Sequence, residues 1–413
     1  MKYIIIVGDG IADYPIDALE GRTPLQVASH PNMDILASGG IGGTLKTIPN
    51  EMEPGSDVAI LSILGYNPKV YYTGRGPLEA PSVGVFLNDN DIALRCNLIT
   101  EGDGVLLDYS AGHIETDEAR ELIRCVDEKL GRKADIEFYP GVSYRHLIVL
   151  RDKDYSDHIK CMPPHDVVGS PVSEILPRPL DAEGAKTTEI LNKLIKESKK
   201  TLSNHPINLR RIREGKRPGN IIWPWGQGKK PRLPKFQRKY GLRGAVISAV
   251  DLIKGIGFYA GMSIINVPGA TGFIDTNYEG KADYALDGLK DHDLILIHVE
   301  APDEASHLGD YQLKIRTIED LDERLIGRLL RGLEREYDEY SVAVLSDHTT
   351  PISVKTHTRD PVPFIIYSTA SIMSEGISRF DEYSVRKKGF KRNLKGYRFM
   401  SLLLKFSQGK MKI

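Results

Sequence analysis

Residues 2–10 read Lys-Tyr-Ile-Ile-Ile-Val-Gly-Asp-Gly. The Ile/Val run lacks the polar alternation of a half-exposed strand. It therefore predicts a strand buried on both faces of a parallel sheet, ending in a loop at Gly8-Asp9-Gly10. Two later segments repeat the pattern. Residues 293–299 form an apolar run ending at His298, and residues 341–345 form another, followed by Ser346-Asp347-His348. Between them, Leu321, Leu325, Ile326, Leu329 and Leu333 recur at helical spacing within residues 313–337. Strand, helix, strand with polar residues just beyond the strand ends predicts an α/β fold: a mostly parallel sheet with helices on both faces. Ligands collect beyond the carboxyl ends of such strands.

The middle of the chain reads differently. Residues 92–98, 104–108 and 144–149 look like strands, interleaved with helical stretches at 116–130 and 185–202. This predicts an α+β domain, residues 76–238, inserted into an α/β domain made of residues 1–75 and 239–413. A chain of 413 residues suits two or three domains at roughly 100–200 residues each. The formal net charge is −1, so no global excess of charge points to nucleic acid or a membrane surface. No apolar run approaches the ~18–20 residues of a membrane span, and the start lacks the layout of a signal peptide. Three scattered cysteines, Cys96, Cys125 and Cys161, give neither a disulfide framework nor a CxxC pair. A cytoplasmic protein is expected.

Two stretches are strongly basic. Residues 199–243 hold fourteen Lys/Arg against one acid, Glu214. A solvated linker and a basic wall facing an anionic substrate are the two readings of that run. Trp223 and Trp225 lie within it, and packing at a domain junction is expected of them before base stacking. Residues 386–412 hold ten Lys/Arg and no acid around the apolar stretch 399–404, which predicts an amphipathic C-terminal helix.

The residues able to do chemistry cluster at the predicted strand ends. Asp303 and His307 are four apart after Pro302, so a helix opened by that proline projects both from one face as a ligand pair for a divalent metal. Asp347 and His348 follow a strand directly, and His357 comes nine residues later. Asp9 closes the first strand between two glycines, a turn or a metal-bridging carboxylate. Together these are three Asp and three His, a set suited to two divalent ions. Ser56, in Pro54-Gly55-Ser56-Asp57, precedes the apolar helical stretch 58–64. Its hydroxyl is either an N-cap or a nucleophile beside a phosphate at the helix end, since both use the same geometry. There is no third glycine for a dinucleotide fingerprint, no Walker A sequence, no HExxH and no GxSxG.

These segments resemble the alkaline phosphatase superfamily of metalloenzymes. Arg22-Thr23-Pro24-Leu25, Leu64-Gly65-Tyr66-Asn67-Pro68, Gly74-Arg75-Gly76-Pro77-Leu78-Glu79-Ala80, Pro206-Ile207-Asn208, Pro268-Gly269-Ala270-Thr271-Gly272 and Asp360-Pro361-Val362-Pro363 resemble its archaeal-type cofactor-independent phosphoglycerate mutases. The resemblance implies two divalent cations, Mn²⁺ first, with Mg²⁺, Co²⁺ or Zn²⁺ as alternatives. Asp9, Ser56, Asp347 and His348 would surround one, and Asp303, His307 and His357 the other. It also implies a phosphoserine at Ser56 and interconversion of 3- and 2-phosphoglycerate, a step of glycolysis and gluconeogenesis. The substrate would be a small phosphorylated acid, with no nucleic-acid or membrane partner. Holding it and excluding water needs cations. The candidates are Arg75, Arg95, Arg145, His113, His146 and Lys254, with Arg210 and Arg213 behind them. A metal-dependent phosphomonoesterase or phosphodiesterase of the same superfamily is the alternative. The chain departs from the resemblance at Tyr109, His113 and Trp225, where arginines would be expected.

Overall fold

The computed structural model describes residues 1–131, 135–389 and 391–410. Residue contacts divide the chain into two units, Met1–Tyr72 with Arg232–Ile413, and Thr73–Pro231.

The first unit is built on an eight-stranded sheet. Its centre is the strand Lys2–Gly8, hydrogen-bonded in parallel to Leu294–Val299 on one side and Tyr340–Leu345 on the other. The sheet continues in parallel through Gly244–Ile247 to Ser263–Ile264. On the far side, Val362–Ser368 runs antiparallel to both Tyr340–Leu345 and Ile41–Lys46, and Lys391–Lys395 closes that edge. The three central strands are buried almost throughout, as continuous Ile/Val/Leu runs require when helices cover both faces. One face packs Ile4, Ile6, Ile295 and Ile297 against Leu321, Leu325, Ile326, Leu329 and Leu333, the stripe read from sequence.

The predicted helix 313–337 is continuous in direction but not uniform. It runs as an α-helix over Tyr311–Asp320, widens to π geometry over Leu321–Gly327, and resumes as α over Arg328–Glu336. Within the widened turn the buried Asp322 carboxylate accepts hydrogen bonds from the backbone N–H groups of Asn32 (3.1 Å) and Met33 (2.8 Å). It thus satisfies free donors at the start of the helix Pro31–Gly39.

The second unit carries an antiparallel sheet. Ile92–Gly102 is its central strand, paired with Arg145–Leu150 and with Ile221–Lys229. Two helices, Thr116–Val126 and Ala185–Ser203, cover one face through Leu122, Ile123, Leu191 and Leu194. The central strand is buried on both faces rather than alternating, because Ala80, Val85 and Leu87 cover the other one.

Two sequence expectations change. The basic run 199–243 is no linker: it folds into the end of a helix, the helix Pro206–Arg213, the strand Ile221–Lys229 and the helix Phe236–Tyr240. Trp223 and Trp225 lie on that strand inside the second unit's own core, with Ile99, Ile195 and Ile221, rather than packing a domain junction. Their indole N–H groups donate to Met162 O (2.8 Å) and Asn97 Oδ1 (3.0 Å), which holds the rings in place. The helix Phe399–Ser407 buries Phe399, Met400, Leu403 and Phe406, as its amphipathic pattern predicts. The basic run around it extends to Lys412, which lies outside the described residues. Among the described residues no helix is long and apolar enough to cross a membrane.

One buried ion pair fastens the loop after the first strand. Lys314 Nζ donates to Asp13 Oδ2 (2.7 Å), Ala12 O (3.2 Å) and Thr350 O (3.0 Å), with both side chains out of solvent. Lys314→Met leaves the Asp13 carboxylate without its cation. It should cost about 3 kcal/mol or more in urea denaturation, with Asp13→Asn in the same chain recovering part of the loss. Equal midpoints for Lys314→Met and the parent would show that the pair adds nothing.

Candidate active site

Three adjacent parallel strands deliver the acidic residues to one place. Asp9 follows Lys2–Gly8, Asp347 and His348 follow Tyr340–Leu345, and Asp303 sits in the helix Ala301–Leu308 just after Leu294–Val299. Val7 is in register with both His298 and Leu345, so the three chain segments leave the sheet at one level. Gly10 lets them meet. Its φ is +61°, and a Cβ there would lie 2.6 Å from Asp303 Oδ1 and 2.7 Å from Thr350 Oγ1. Its N–H donates to Asp347 Oδ1 (3.2 Å).

The donors form two groups, each with ligand atoms within 4.8 Å of one another: Asp303, His348 and His357, and Asp9, His298 and Asp347. His307 joins the first group. Its Nε2 is 3.0 Å from Asp303 Oδ2 and 3.1 Å from His357 Nε2. Its Nδ1 faces Lys355 O at 2.9 Å, so that nitrogen carries a proton and Nε2 is the atom turned to the carboxylate. His357 Nε2 is 3.4 Å from Asp303 Oδ2, and its ring stacks on His348 with centroids 3.9 Å apart. His348 Nε2 stands between the groups, 3.3 Å from both Asp9 Oδ1 and Asp347 Oδ2.

A hydrogen-bond chain sets the orientation of His348. The Thr350 hydroxyl donates to Asp303 Oδ1 (2.5 Å), so its oxygen is left to accept from His348 Nδ1–H (3.0 Å). The Nε2 lone pair then points at Ser56, whose Oγ is 3.1 Å away. Ser56 opens the helix Ser56–Ile63, but Gly55 is the N-cap and no side chain caps that end. The N-cap reading of Ser56 therefore fails, and its hydroxyl faces the donor clusters.

The buried carboxylates crowd negative charge into one place. Burial, then the charges of Asp347 and Asp303, push Asp9 well above the usual carboxylate range, and burial also raises Asp347. Burial would raise Asp303 too, but the charge of His357 and hydrogen bonds from His307 and His357 outweigh it and hold it well below. Burial, then the charge of His357, drives His348 down. Asp9 Oδ1, Asp347 Oδ2 and His298 Nε2 are buried without any hydrogen-bond partner. Such groups are costly unless something pairs with them. Carboxylate oxygens and inward imidazole lone pairs are the ligand set of a divalent ion, so these residues fit the expected metals.

The expected substrate cations are distributed more widely. Arg75 and Arg95 both donate to Glu79 Oε1, at 3.0 and 3.1 Å, and both guanidinium groups lie over the Trp225 ring. Burial would raise Glu79, but the charges of Arg95 and Arg75, with Arg145 behind them, lower it instead. Three arginines of the second unit thus act on Glu79. His146 is adjacent to Arg145 on its strand and so faces the other way, into the core with Cys96 opposite it. His113 is exposed in a left-handed turn (φ +50°) with its ring 6.1 Å from Tyr144. Lys254 belongs to the first unit, on the helix Asp251–Ala260, 3.9 Å from Asp251. Arg210 pairs with Glu118 (2.8 Å) on the second unit. Sequence reasoning missed Thr350, Glu79 and His298. Glu79 lay in a quoted motif without a role, and His298 passed as the end of an apolar run.

Comparison with known proteins agrees with this architecture. A family model described as 2,3-bisphosphoglycerate-independent phosphoglycerate mutase matches residues 37–208, and one described as type I phosphodiesterase / nucleotide pyrophosphatase matches residues 181–363. The fold is α/β, with a mostly parallel sheet. A 2,3-bisphosphoglycerate-independent phosphoglycerate mutase of Methanosarcina acetivorans is 52% identical over 386 residues, 94% of this chain and 95% of that one. One from Methanothermobacter thermautotrophicus is 48% identical over 404 residues, 98% of this chain and 97% of the relative. A solved protein from Pyrococcus horikoshii has a TM-score of 0.83 at 30% identity, covering 100% of this chain and 98% of the other. A solved cofactor-independent phosphoglycerate mutase from Thermoplasma acidophilum has a TM-score of 0.67 at 33% identity, covering 98% and 100%. The chain belongs to the 2,3-bisphosphoglycerate-independent phosphoglycerate mutase family.

An ion that binds this preformed cluster and not the unfolded chain must stabilise the fold. At a free concentration one hundred times its Kd, one ion contributes about 2.7 kcal/mol. Chelation should therefore lower Tm and Mn²⁺ should restore it. A Tm indifferent to both would remove the metal reading.

Proposed function

We propose that this chain interconverts 3-phosphoglycerate and 2-phosphoglycerate without a bisphosphate primer, by way of a phosphoserine at Ser56. The observation that carries the reading is the Ser56 hydroxyl: first in its helix, free of capping duty, and 3.1 Å from an imidazole whose lone pair faces it. Two divalent ions, when bound by Asp9, Asp347 and His348 and by Asp303, His307 and His357, would make that hydroxyl acidic and neutralise charge on the phosphoryl oxygens. The mixed His/carboxylate set suits Mn²⁺, which we assign first, and also accepts Co²⁺, Zn²⁺ and Mg²⁺.

The chain's own residues do the rest. Ser56 Oγ attacks phosphorus as the bond to the C3 oxygen of the substrate breaks, and the proton given up by the serine hydroxyl passes to the departing C3 alkoxide. The glycerate then presents its C2 hydroxyl, which attacks the phosphoserine and regenerates Ser56. Backbone N–H groups at the start of the helix Ser56–Ile63 favour the transferring anion. We assign Arg75, Arg95 and Arg145 to the substrate's charged groups, because Arg75 and Arg95 converge on Glu79 and the charges of all three gather there. His113 and Lys254 are retained as secondary contacts. His146, turned into the core, is better placed to support the Arg145 strand. Three free cysteines suit the reducing cytoplasm in which we place the enzyme, at the phosphoglycerate step of glycolysis and gluconeogenesis.

A coupled assay for 2-phosphoglycerate, run with Mn²⁺ and without 2,3-bisphosphoglycerate, tests the proposal. Turnover should occur with little free phosphate released, and Ser56→Ala should lower it by roughly 10³-fold or more with an unchanged Tm. Free phosphate as the main product would make the chain a phosphomonoesterase instead. Substantial mutase activity in Ser56→Ala would remove the phosphoserine.

A further inference from the structure

His298 lies outside the ligand set that the resemblance implies. It is 1% exposed, in the strand Leu294–Val299. In the parallel register it stands opposite Val7. Asp9 comes two residues after Val7, so Asp9 and His298 project to the same side of the sheet. His298 Nε2 is 3.2 Å from Asp9 Oδ2, yet it makes no hydrogen bond, and neither do Asp9 Oδ1 and Asp347 Oδ2. The ligand atoms of all three residues lie within 4.8 Å of one another.

We infer that His298, through Nε2, is a direct ligand of the cation bound by Asp9 and Asp347. The inference rests on the two-cation reading above and extends it by one residue. An ordinary buried Asp–His hydrogen bond is the competing account. Such a bond would use Nε2 but leave Asp9 Oδ1 and Asp347 Oδ2 unsatisfied, whereas one cation satisfies all three atoms. The far side of the ring is arranged to suit. Nδ1 lies 3.5 Å from Ser248 Oγ, which already accepts from Val250 N–H (3.0 Å) and retains a lone pair for a weak bond from Nδ1–H. That places the proton on Nδ1 and the lone pair on Nε2, the arrangement a metal-binding histidine needs. Lys281, whose Nζ donates to His298 O (3.1 Å), anchors the strand end beneath it.

The test uses the full-length chain stripped of cations. Calorimetric titration of the parent with Mn²⁺ should show two bound ions. In His298→Asn one of the two should bind about tenfold more weakly and the other as before. A residue that merely positions Asp9 could produce the same loss, so a second variant decides. His298→Cys loaded with Co²⁺ should develop a thiolate-to-cobalt charge-transfer band absent from the parent, whose three cysteines supply the baseline. Parent-like affinities in His298→Asn, or no such band in a folded, cobalt-binding His298→Cys, overturns the assignment and leaves the two-cation reading standing. A parent chain that binds neither Mn²⁺ nor Co²⁺ overturns both. A parent that binds two ions, with the cobalt band present in the cysteine variant, establishes His298 as a ligand even if His298→Asn does not fold.

Discussion

Asp9 and Asp347 are carboxylates brought out of water into contact with one another, and the architecture of the first unit is organised around that cost. Only 2% and 0% exposed, they have no salt-bridging Lys or Arg beside them among the described residues. Their neighbours are histidines, which can be neutral, and further acids. Two carboxylates in such a place either share a proton or share a cation. The outer contacts of His307 Nδ1 with Lys355 O and of His348 Nδ1 with Thr350 Oγ1 hold the two rings with Nε2 turned to the carboxylates, where a cation can be shared.

Strand order explains why the cluster can exist. The strand Lys2–Gly8 is flanked on both sides by parallel partners, and the residues just past all three strand ends converge without long loops. Antiparallel neighbours would have sent one segment to the opposite end of the sheet. The buried Lys314 acts one layer further out, tying Ala12, Asp13 and Thr350 together through one ammonium. Thr350 in turn connects Asp303 to His348. Rigidity at the ligand groups is therefore supplied by groups that touch neither phosphate nor Ser56.

Much of this was legible in the sequence. Unalternating Ile/Val runs mark central strands because only such strands are apolar on both faces. The i, i+4 pair Asp303 and His307 after Pro302 reads directly as a helical face. His298 was not legible, because a histidine ending an apolar run looks the same whether its ring packs in the core or meets a carboxylate from a neighbouring strand. Only the register with Val7 distinguishes the two. The π turn at Leu321–Gly327 was equally hidden, since its heptad-like leucines fit an unbroken helix. His146 was misjudged for a similar reason. A polar residue beside Arg145 invites a shared role, but neighbours on a strand face opposite ways.

Unsatisfied polar atoms carry the remaining argument. A folded chain rarely leaves buried donors and acceptors unpaired, since each costs about 1–3 kcal/mol. In the first unit Asp9 Oδ1, Asp347 Oδ2 and His298 Nε2 are left so at the ends of adjacent strands. In the second unit Arg95 Nε is left so, under the Trp225 ring and beside Glu79. The first three lack a cation, and the last is a donor lacking an acceptor. Other buried atoms are left so too, among them the Tyr278 hydroxyl in the first unit and Asn192 Oδ1 in the second, so what marks a site for an outside cation is the grouping of Asp9, Asp347 and His298 ligand atoms within 4.8 Å of one another. That grouping beside Ser56, rather than the presence of any one residue, is what makes phosphoryl transfer the economical reading of the chain.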